Sequence, residues 1–423
     1  MKRKSLSLAL ALVLLLAGCS GSGVRALEAG TAPPVVAAVR PELDEALGDF
    51  GLELLRQTRR EGENTFLSPL SVLFCLSLCA NGAAGDTLDQ FTSLLAGGGD
   101  LASLNENCRS LLERYAALEA GSSVAELYHI QPGESELSLA NSLWLDRRAR
   151  PEDSFVGRCT GTYEAQVFAA DFTGDATRRE INRWVERSTG GHIKEALNAI
   201  DPSTVLALVN AVYFEGKWQQ PFDPGDTRTG RDFYREDGAA GQVDLMDSGG
   251  RTDRFIGTEE EQGVLLPYRD GQLAFLALLP PEGVALTDYL SGLDGERLAG
   301  LIAGAEERHF ILRLPKFEMM WKSSLAQPLM AMGLTDAFDP GQADFSPMGA
   351  DEDGNGLYLN TVIHGAGLQV DEQGTRAFSF TFGGMSGGSA MEPEILEFNR
   401  PFVYGIVDMG RGIPLFLGTF ETA

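Results

Sequence analysis

Hydrophobic positions recur along this chain with two different periods, and the alternation between them outlines its architecture. Leu43, Leu47, Phe50, Leu54 and Leu55 fall at helical spacing and predict a core-facing stripe on a helix that opens a folded body near Pro41. Asn64 to Pro69 predict a short strand and then a helix start, because Ser68 can cap the helix and Pro69 suits its first turn. The following run from Leu70 to Ala80 is apolar on nearly all faces, so that helix is expected to be buried. Near the other end of the chain the period is two. Thr375, Ala377, Ser379, Thr381 and Gly383 form one face, all small, and Phe378, Phe380 and Phe382 lie on the other. Helical and strand-like stretches alternate irregularly, without an internal repeat and without the βαβ succession of a doubly wound sheet. An all-α or all-β chain is therefore not expected.

The N-terminus has a different pattern. Met1 to Ser5 carry three positive charges, and Leu6 to Leu16 form an almost unbroken apolar run. That run is short for a membrane span and matches a secretory leader. It ends Leu16-Ala17-Gly18-Cys19, and small residues before a cysteine at this place resemble a bacterial lipobox. On that reading Cys19 is lipidated, becomes the first mature residue and ties the protein to the outer face of a bacterial cell membrane. The competing reading is an ordinary signal peptide with an incidental cysteine. The organisation expected is a leader over 1–18, a flexible tether over 19–41 and one domain over 42–423.

Composition narrows the function classes. With 423 residues, 43% of them hydrophobic, the chain can bury a large core. The formal net charge is −26, and loss of Lys2, Arg3 and Lys4 with the leader makes it more negative still. Such a surface repels nucleic acid, which is not expected as a partner. Cys75 and Cys79 lie four apart on one helix face and are expected as buried free thiols. No C-x-x-C pair argues for a zinc or redox site, and the chain is not a disulfide scaffold. The acidic run Asp351 to Asn355 lacks the spacing and terminal glutamate of a calcium loop and reads as a solvated turn. Neither cofactor nor metal is expected.

Several blocks in order carry a resemblance to a known family. Asn64-x-Phe66-x-Ser68-Pro69-x-Ser71-Val72 is followed by Asn81-Gly82-Ala83-x-Gly85-x-Thr87. Ile181-Asn182-x-Trp184 leads to Thr189-x-Gly191-x-Ile193-Lys194, and Leu208 to Phe214 leads to Gly216-x-Trp218. Leu314-Pro315-Lys316-Phe317, Met332-Gly333-Leu334, Phe398-Asn399-Arg400-Pro401-Phe402 and Pro414-Leu415-Phe416-x-Gly418 complete the series. Over roughly residues 45 to 420 the chain resembles the serpins. The resemblance implies an α+β serpin fold: a large central sheet that can open, two smaller sheets, about eight or nine helices and an exposed reactive loop at about 372–397. It implies a suicide inhibitor of peptidases, not an enzyme. Cleavage of the loop would leave the target as a covalent acyl-enzyme, and insertion of the loop into the central sheet would trap it. A monomer is expected.

The same resemblance assigns residues. Ser68, Ser71, Asn210 and His364 would meet beneath the central strands as a polar latch, Trp218 would pack at the entry point of the sheet, and Lys316 would pair with Glu372 at the base of the loop. The hinge would be Glu372, Gly374, Thr375 and Ala377, with Gly374 permitting the backbone rotation of insertion. Arg376 and the three phenylalanines depart from the family, whose inhibitory members carry alanines and an acidic residue there. The cleaved bond is left at two places: counting from the hinge gives Gly388-Ser389, and counting back from Phe398 gives Ala390-Met391. Ala390 is favoured, as a small residue for an elastase-like or subtilisin-like pocket. No Arg or Lys lies between Arg376 and Arg400, which argues against trypsin-like targets. Two alternatives stay open. One is a non-inhibitory serpin that binds a partner. The other is a lipoprotein hydrolase using Ser386 of Gly384-x-Ser386-x-Gly388, although all four histidines precede that serine in the chain.

Overall fold

The computed structural model of this protein describes residues 24–27, 40–118, 131–189, 191, 195, 197–258, 261–350, 356–375 and 394–423. Its N-terminal part holds β1 (Arg25–Leu27), α1 (Pro41–Thr58), β2 (Thr65–Leu67), α2 (Pro69–Ala80), α3 (Gly85–Ala96) and α4 (Leu101–Ala116). Next come β3 (Ser135–Asp146), β4 (Arg150–Pro151), α5 (Asp153–Thr162), β5 (Gln166–Ala170), α6 (Asp175–Ser188) and β6 (Leu206–Lys217). A strand-rich stretch follows, with β7 (Arg228–Tyr234), β8 (Ala240–Asp247), β9 (Arg251–Gly257), β10 (Gln262–Pro267) and β11 (Leu273–Leu279). After α7 (Leu286–Ser291) and α8 (Gly295–Ala303) come β12 (Glu306–Ser324), α9 (Ala326–Ala331), β13 (Gly349–Ala350), β14 (Thr361–Val370) and β15 (Gly374–Thr375). The chain closes with β16 (Ile395–Glu397), β17 (Phe402–Asp408) and β18 (Ile413–Phe420).

The local rules explain the first elements. Pro41 starts α1, acidic Glu42 and Asp44 complement the positive end of its dipole, and the whole predicted stripe faces the core. Ser68 caps α2 by accepting from the Ser71 amide, and every residue of α2 is buried. Cys75 and Cys79 on that helix are buried free thiols, as are Cys108 and Cys159, and burial pushes the Cys75 thiol up to about 12.

The strands form an α+β architecture around one long connector. β12, with 19 residues, takes part in three sheets. The central sheet runs β1-β5-β3-β6-β14-β12, mixed in direction, with β15 between β6 and β14 at one end. A second sheet pairs the start of β12 with β9, β10, β11, β17, β18 and β2, and a third joins β7, β8, β12 and β16. Helix α2 sits between the first two sheets, which is why it has no polar face. Helix α6 covers the other face of the central sheet, where Ile181, Trp184 and Val185 pack on Trp144, Ala207 and Val209. No helix among the described residues is long and apolar enough to cross a membrane.

The expected tether over 19–41 needs one correction. Arg25–Leu27 pairs antiparallel with Gln166–Ala170, with Ala26 opposite Phe168, and so forms the edge strand of the central sheet. The segment has no apolar alternation of its own. What holds it is the row of backbone donors and acceptors on the outer edge of β5.

Candidate functional site: a seam in the central sheet and the hinge that enters it

The central sheet has a seam between β6 and β14. The two strands are parallel and in register from Thr361 opposite Ala207 to Ala366 opposite Val212. Beyond Ala366 they part, and β15 occupies the far end, with Gly374 opposite Lys217 and Thr375 between Gly216 and Val370. Gly365, Ala366 and Gly367 lie where the strands begin to part, and small residues there leave little side-chain packing to hold them together. Along β14, Val362, His364, Ala366, Leu368 and Val370 point to the core.

Polar groups lie beneath the middle of the seam. The Ser68 amide donates to His364 Nε2 at 2.9 Å, and the Ser68 hydroxyl donates to the Leu415 carbonyl at 2.7 Å. The Ser71 amide donates to Ser68 Oγ at 3.2 Å. His364 is 1% exposed, and burial pushes its pKa down to about 3, so the ring is neutral. Because Nε2 accepts a hydrogen bond, the ring proton sits on Nδ1. That Nδ1 is buried with no partner among the described residues.

Asn210 stands opposite His364 in register, on the same face of the sheet. Its Nδ2 donates to Asn141 Oδ1 at 2.8 Å, and its Oδ1 is a buried acceptor with no partner among the described residues. The expected four-residue latch is thus corrected. Ser68, Ser71 and His364 are joined directly, whereas Asn210 is bonded across the next strand pair to Asn141 of β3, where the two asparagines are in register. An unmet donor and an unmet acceptor face each other's strand across the seam.

At the end of the seam the groups are matched. Lys316 Nζ donates to Glu372 Oε2 at 2.8 Å and the Thr227 hydroxyl to Oε1 at 2.8 Å. Burial raises the Glu372 carboxyl, but these bonds and the Lys316 charge outweigh it and hold it below its ordinary value. Trp218 is buried; its Nε1 donates to the Asp371 carbonyl at 2.8 Å and its amide to the Gln373 carbonyl at 3.0 Å. Asp371 Oδ1 accepts from the Gln373 and Gly374 amides at 2.8 and 3.2 Å, which folds the chain back into the seam.

In this state Gly374 is needed for space. Its φ is not positive, but a Cβ there would stand 2.1 Å from the Gly216 carbonyl oxygen. Thr375 is 0% exposed, and its hydroxyl meets that of Tyr268 at 2.5 Å.

Ser68, Ser71, Asn210, His364, Trp218, Lys316, Glu372, Gly374 and Thr375 therefore gather along one seam. Ala377, the bond candidates Gly388, Ser389, Ala390 and Met391, the serine Ser386 and the cysteine Cys19 lie outside the described residues. Among the described residues no group of three or more metal-ligating side chains is assembled. Sequence reasoning missed Asn141, Asp371 and Tyr268. Only Asp371 had a local signal, an aspartate three residues before a glycine at a turn.

Comparisons with known proteins agree with this geometry. A family model described as Serpin (serine protease inhibitor) matches residues 45–422. The chain is 32% identical over 416 residues to Serpin-Z2A of Oryza sativa subsp. japonica, covering 87% of this chain and 95% of that one. The crystal structure of the thermophilic serpin tengpin in its native state superposes with a TM-score of 0.84 at 29% identity, over 93% of this chain and 97% of tengpin. Thyroxine-binding globulin in complex with thyroxine has the same fold, with a TM-score of 0.75 at 25% identity, over 90% of this chain and 100% of that chain.

Proposed function

Because the chain belongs to the serpin family, we propose that it is an inhibitory serpin: a single-use trap for a peptidase outside the cytoplasm, elastase-like or subtilisin-like in its preference. Serpins are protease inhibitors rather than catalysts. The target's nucleophile attacks the carbonyl carbon of the bait residue, the peptide bond breaks, and the new amino terminus leaves. The bait residue then remains as an ester, or a thioester on a cysteine peptidase. The cleaved loop enters the seam as a new strand and carries the acyl-enzyme with it.

The observation that carries this reading is the open end of the seam, with the hinge already lodged in it. Gly374 and Thr375 pair with β6 on one side, and Thr375 pairs with β14 on the other. A loop that begins as a strand would first extend into the short stretch where β6 and β14 are unpaired, and would then part the pairs that run from Ala366 opposite Val212 to Thr361 opposite Ala207. Thr375 and Ala377 belong to the small-residue face suited to burial.

The departure at Arg376, Phe378, Phe380 and Phe382 supports a second reading, a non-inhibitory serpin that binds a partner, as thyroxine-binding globulin binds thyroxine. Mixing the intact protein with a panel of elastase-like and subtilisin-like enzymes separates the two. An SDS-resistant complex is expected, with a released C-terminal fragment that begins at Met391. A cut loop with a fully active protease, for every enzyme of the panel, would overturn the inhibitory reading in favour of the second.

The proposal includes the anchor. With lipid on Cys19, the inhibitor would stand on the outer face of a bacterial membrane. Cys19→Ala is expected to free the protein from the membrane fraction or to block its processing. Recovery of the wild type from its own host as unlipidated, freely soluble material would refute the anchor.

A further inference from the structure

The hydroxyl pair Tyr268 and Thr375 takes no part in the trapping reaction as proposed. Tyr268 lies just beyond β10 and bridges to Trp218, so it stands at the rim of the seam and belongs to neither strand that parts. Its ring is wholly buried and held on two sides. It stacks on Trp218 with centroids 5.0 Å apart and planes 11° apart, and it meets Phe214 edge-on at 5.0 Å. Gly216 makes room for it, since a Cβ there would stand 2.7 Å from Tyr268 Cδ1. Burial raises the phenol well above its ordinary pKa, so it stays protonated. Among the described residues its hydroxyl makes one hydrogen bond, at 2.5 Å to Thr375 Oγ1.

We infer that Tyr268 is a positioning residue for loop insertion, a fixed post whose hydroxyl holds Thr375 in the sheet before any cleavage has occurred. A two-residue strand between two parting neighbours has few bonds of its own. The hinge therefore exchanges between an inserted and an expelled form, and the buried hydroxyl pair biases it toward the inserted one. Insertion after cleavage then extends an existing strand, which avoids the slow first step of nucleating one. Expulsion lengthens the free loop and delays capture, so more of the acyl-enzyme hydrolyses.

The consequence for trapping rests on the inhibitory reading, but the clamp itself can be read without a protease. Amide hydrogen exchange over 366–375 in the intact chain is the direct measure. Tyr268→Phe keeps the ring stack and Thr375→Val keeps the branched shape, and each removes one hydroxyl. Each is expected to speed exchange of that segment by about five- to tenfold, the worth of one net hydrogen bond. The double variant should be no faster than either single one, because both remove the same bond. Thr375→Ser, which keeps the hydroxyl, should exchange like the wild type. With a trapped protease, the two single variants should also raise the moles of inhibitor consumed per mole of enzyme.

Unchanged exchange in both single variants, or additive effects in the double, would overturn the clamp even if the protein still traps its target. The expected exchange pattern in a protein that traps nothing would leave the clamp standing and remove only the inhibitory reading.

Discussion

The middle and the end of the seam solve the same problem in opposite ways. At the end, each charged or polar group has its counterpart: Glu372 has Lys316 and Thr227, Asp371 has the Gln373 and Gly374 amides, and Thr375 has Tyr268. In the middle, His364 Nδ1 and Asn210 Oδ1 are buried, opposite in register and without a partner among the described residues. An unmatched buried donor and acceptor weaken the state that holds them, whereas matched groups hold it. The difference is that the hinge end of the seam is held by paired groups, whereas its middle keeps a buried donor and a buried acceptor unpaired among the described residues.

The largest effect is expected from destroying the match at the end. Thr375→Arg puts a cation where the native side chain is wholly buried, at a cost of several kcal/mol if it stays unpaired. The hinge should be expelled before cleavage and resist entry afterwards. The loop should still be cut at the same bond, but the protease should be released active, and the cleaved variant should gain less heat resistance than cleaved wild type. Equal inhibitory stoichiometry in variant and wild type would mean that insertion is not the mechanism.

Next comes the middle of the seam. His364→Ala leaves the Ser68 amide without its acceptor and is expected to destabilise the native state by about 1–3 kcal/mol. It should also promote polymers, because strands that part more easily accept another molecule's loop. Denaturant midpoint and size-exclusion profile test this, and a variant as stable and monomeric as wild type would contradict the role.

Acid separates the two regions without mutation. His364 has its pKa pushed down to about 3 by burial, so below about pH 6.5 the unfolded chain binds a proton that the folded one refuses. Stability should therefore fall as the pH drops through this window, by about 1.4 kcal/mol for one unit below 6.5. The His364→Ala variant should lack that slope. Glu372 has the opposite sign. Its carboxyl is held below its ordinary value, so its contribution is intact above the unfolded value of about 4.5 and is lost only as the pH falls through the lower folded value. Thermal midpoints of wild type and His364→Ala that run parallel between pH 7.5 and 5.5 would break the comparison.

The smallest effect is expected at Lys316. Its side chain is 41% exposed, so solvent screens the pair, and Lys316→Met should cost no more than about 1 kcal/mol. Glu372 retains Thr227 in that variant, and because its folded value lies nearer the unfolded one without Lys316, the loss of stability below pH 4.5 should be smaller than in wild type. A loss as large as that of His364→Ala would mean that the ion pair, rather than the latch, holds the seam.

The amino-acid pattern makes many of these features legible. The stripe of α1, the Ser68 cap, the wholly buried α2 and the small face at Thr375 follow from propensity, capping and periodicity. These act over a few residues and are written into neighbouring positions. The pairings Asn210 with Asn141 and Thr375 with Tyr268 join residues 69 and 107 apart, and nothing in the intervening sequence marks them. The edge strand at Arg25–Leu27, which reads as tether, is hidden for the same reason, since the bonds that hold it come from the edge of β5.

The local order of elements, the burial of α2 and the chemistry available to the hinge were thus set by the amino acids and their spacing. Tertiary structure alone decided which polar groups find partners. Register across nonlocal strands fixes the distance between a donor and an acceptor, and that distance separates a satisfied clamp at Thr375 from the unmet pair at His364 and Asn210.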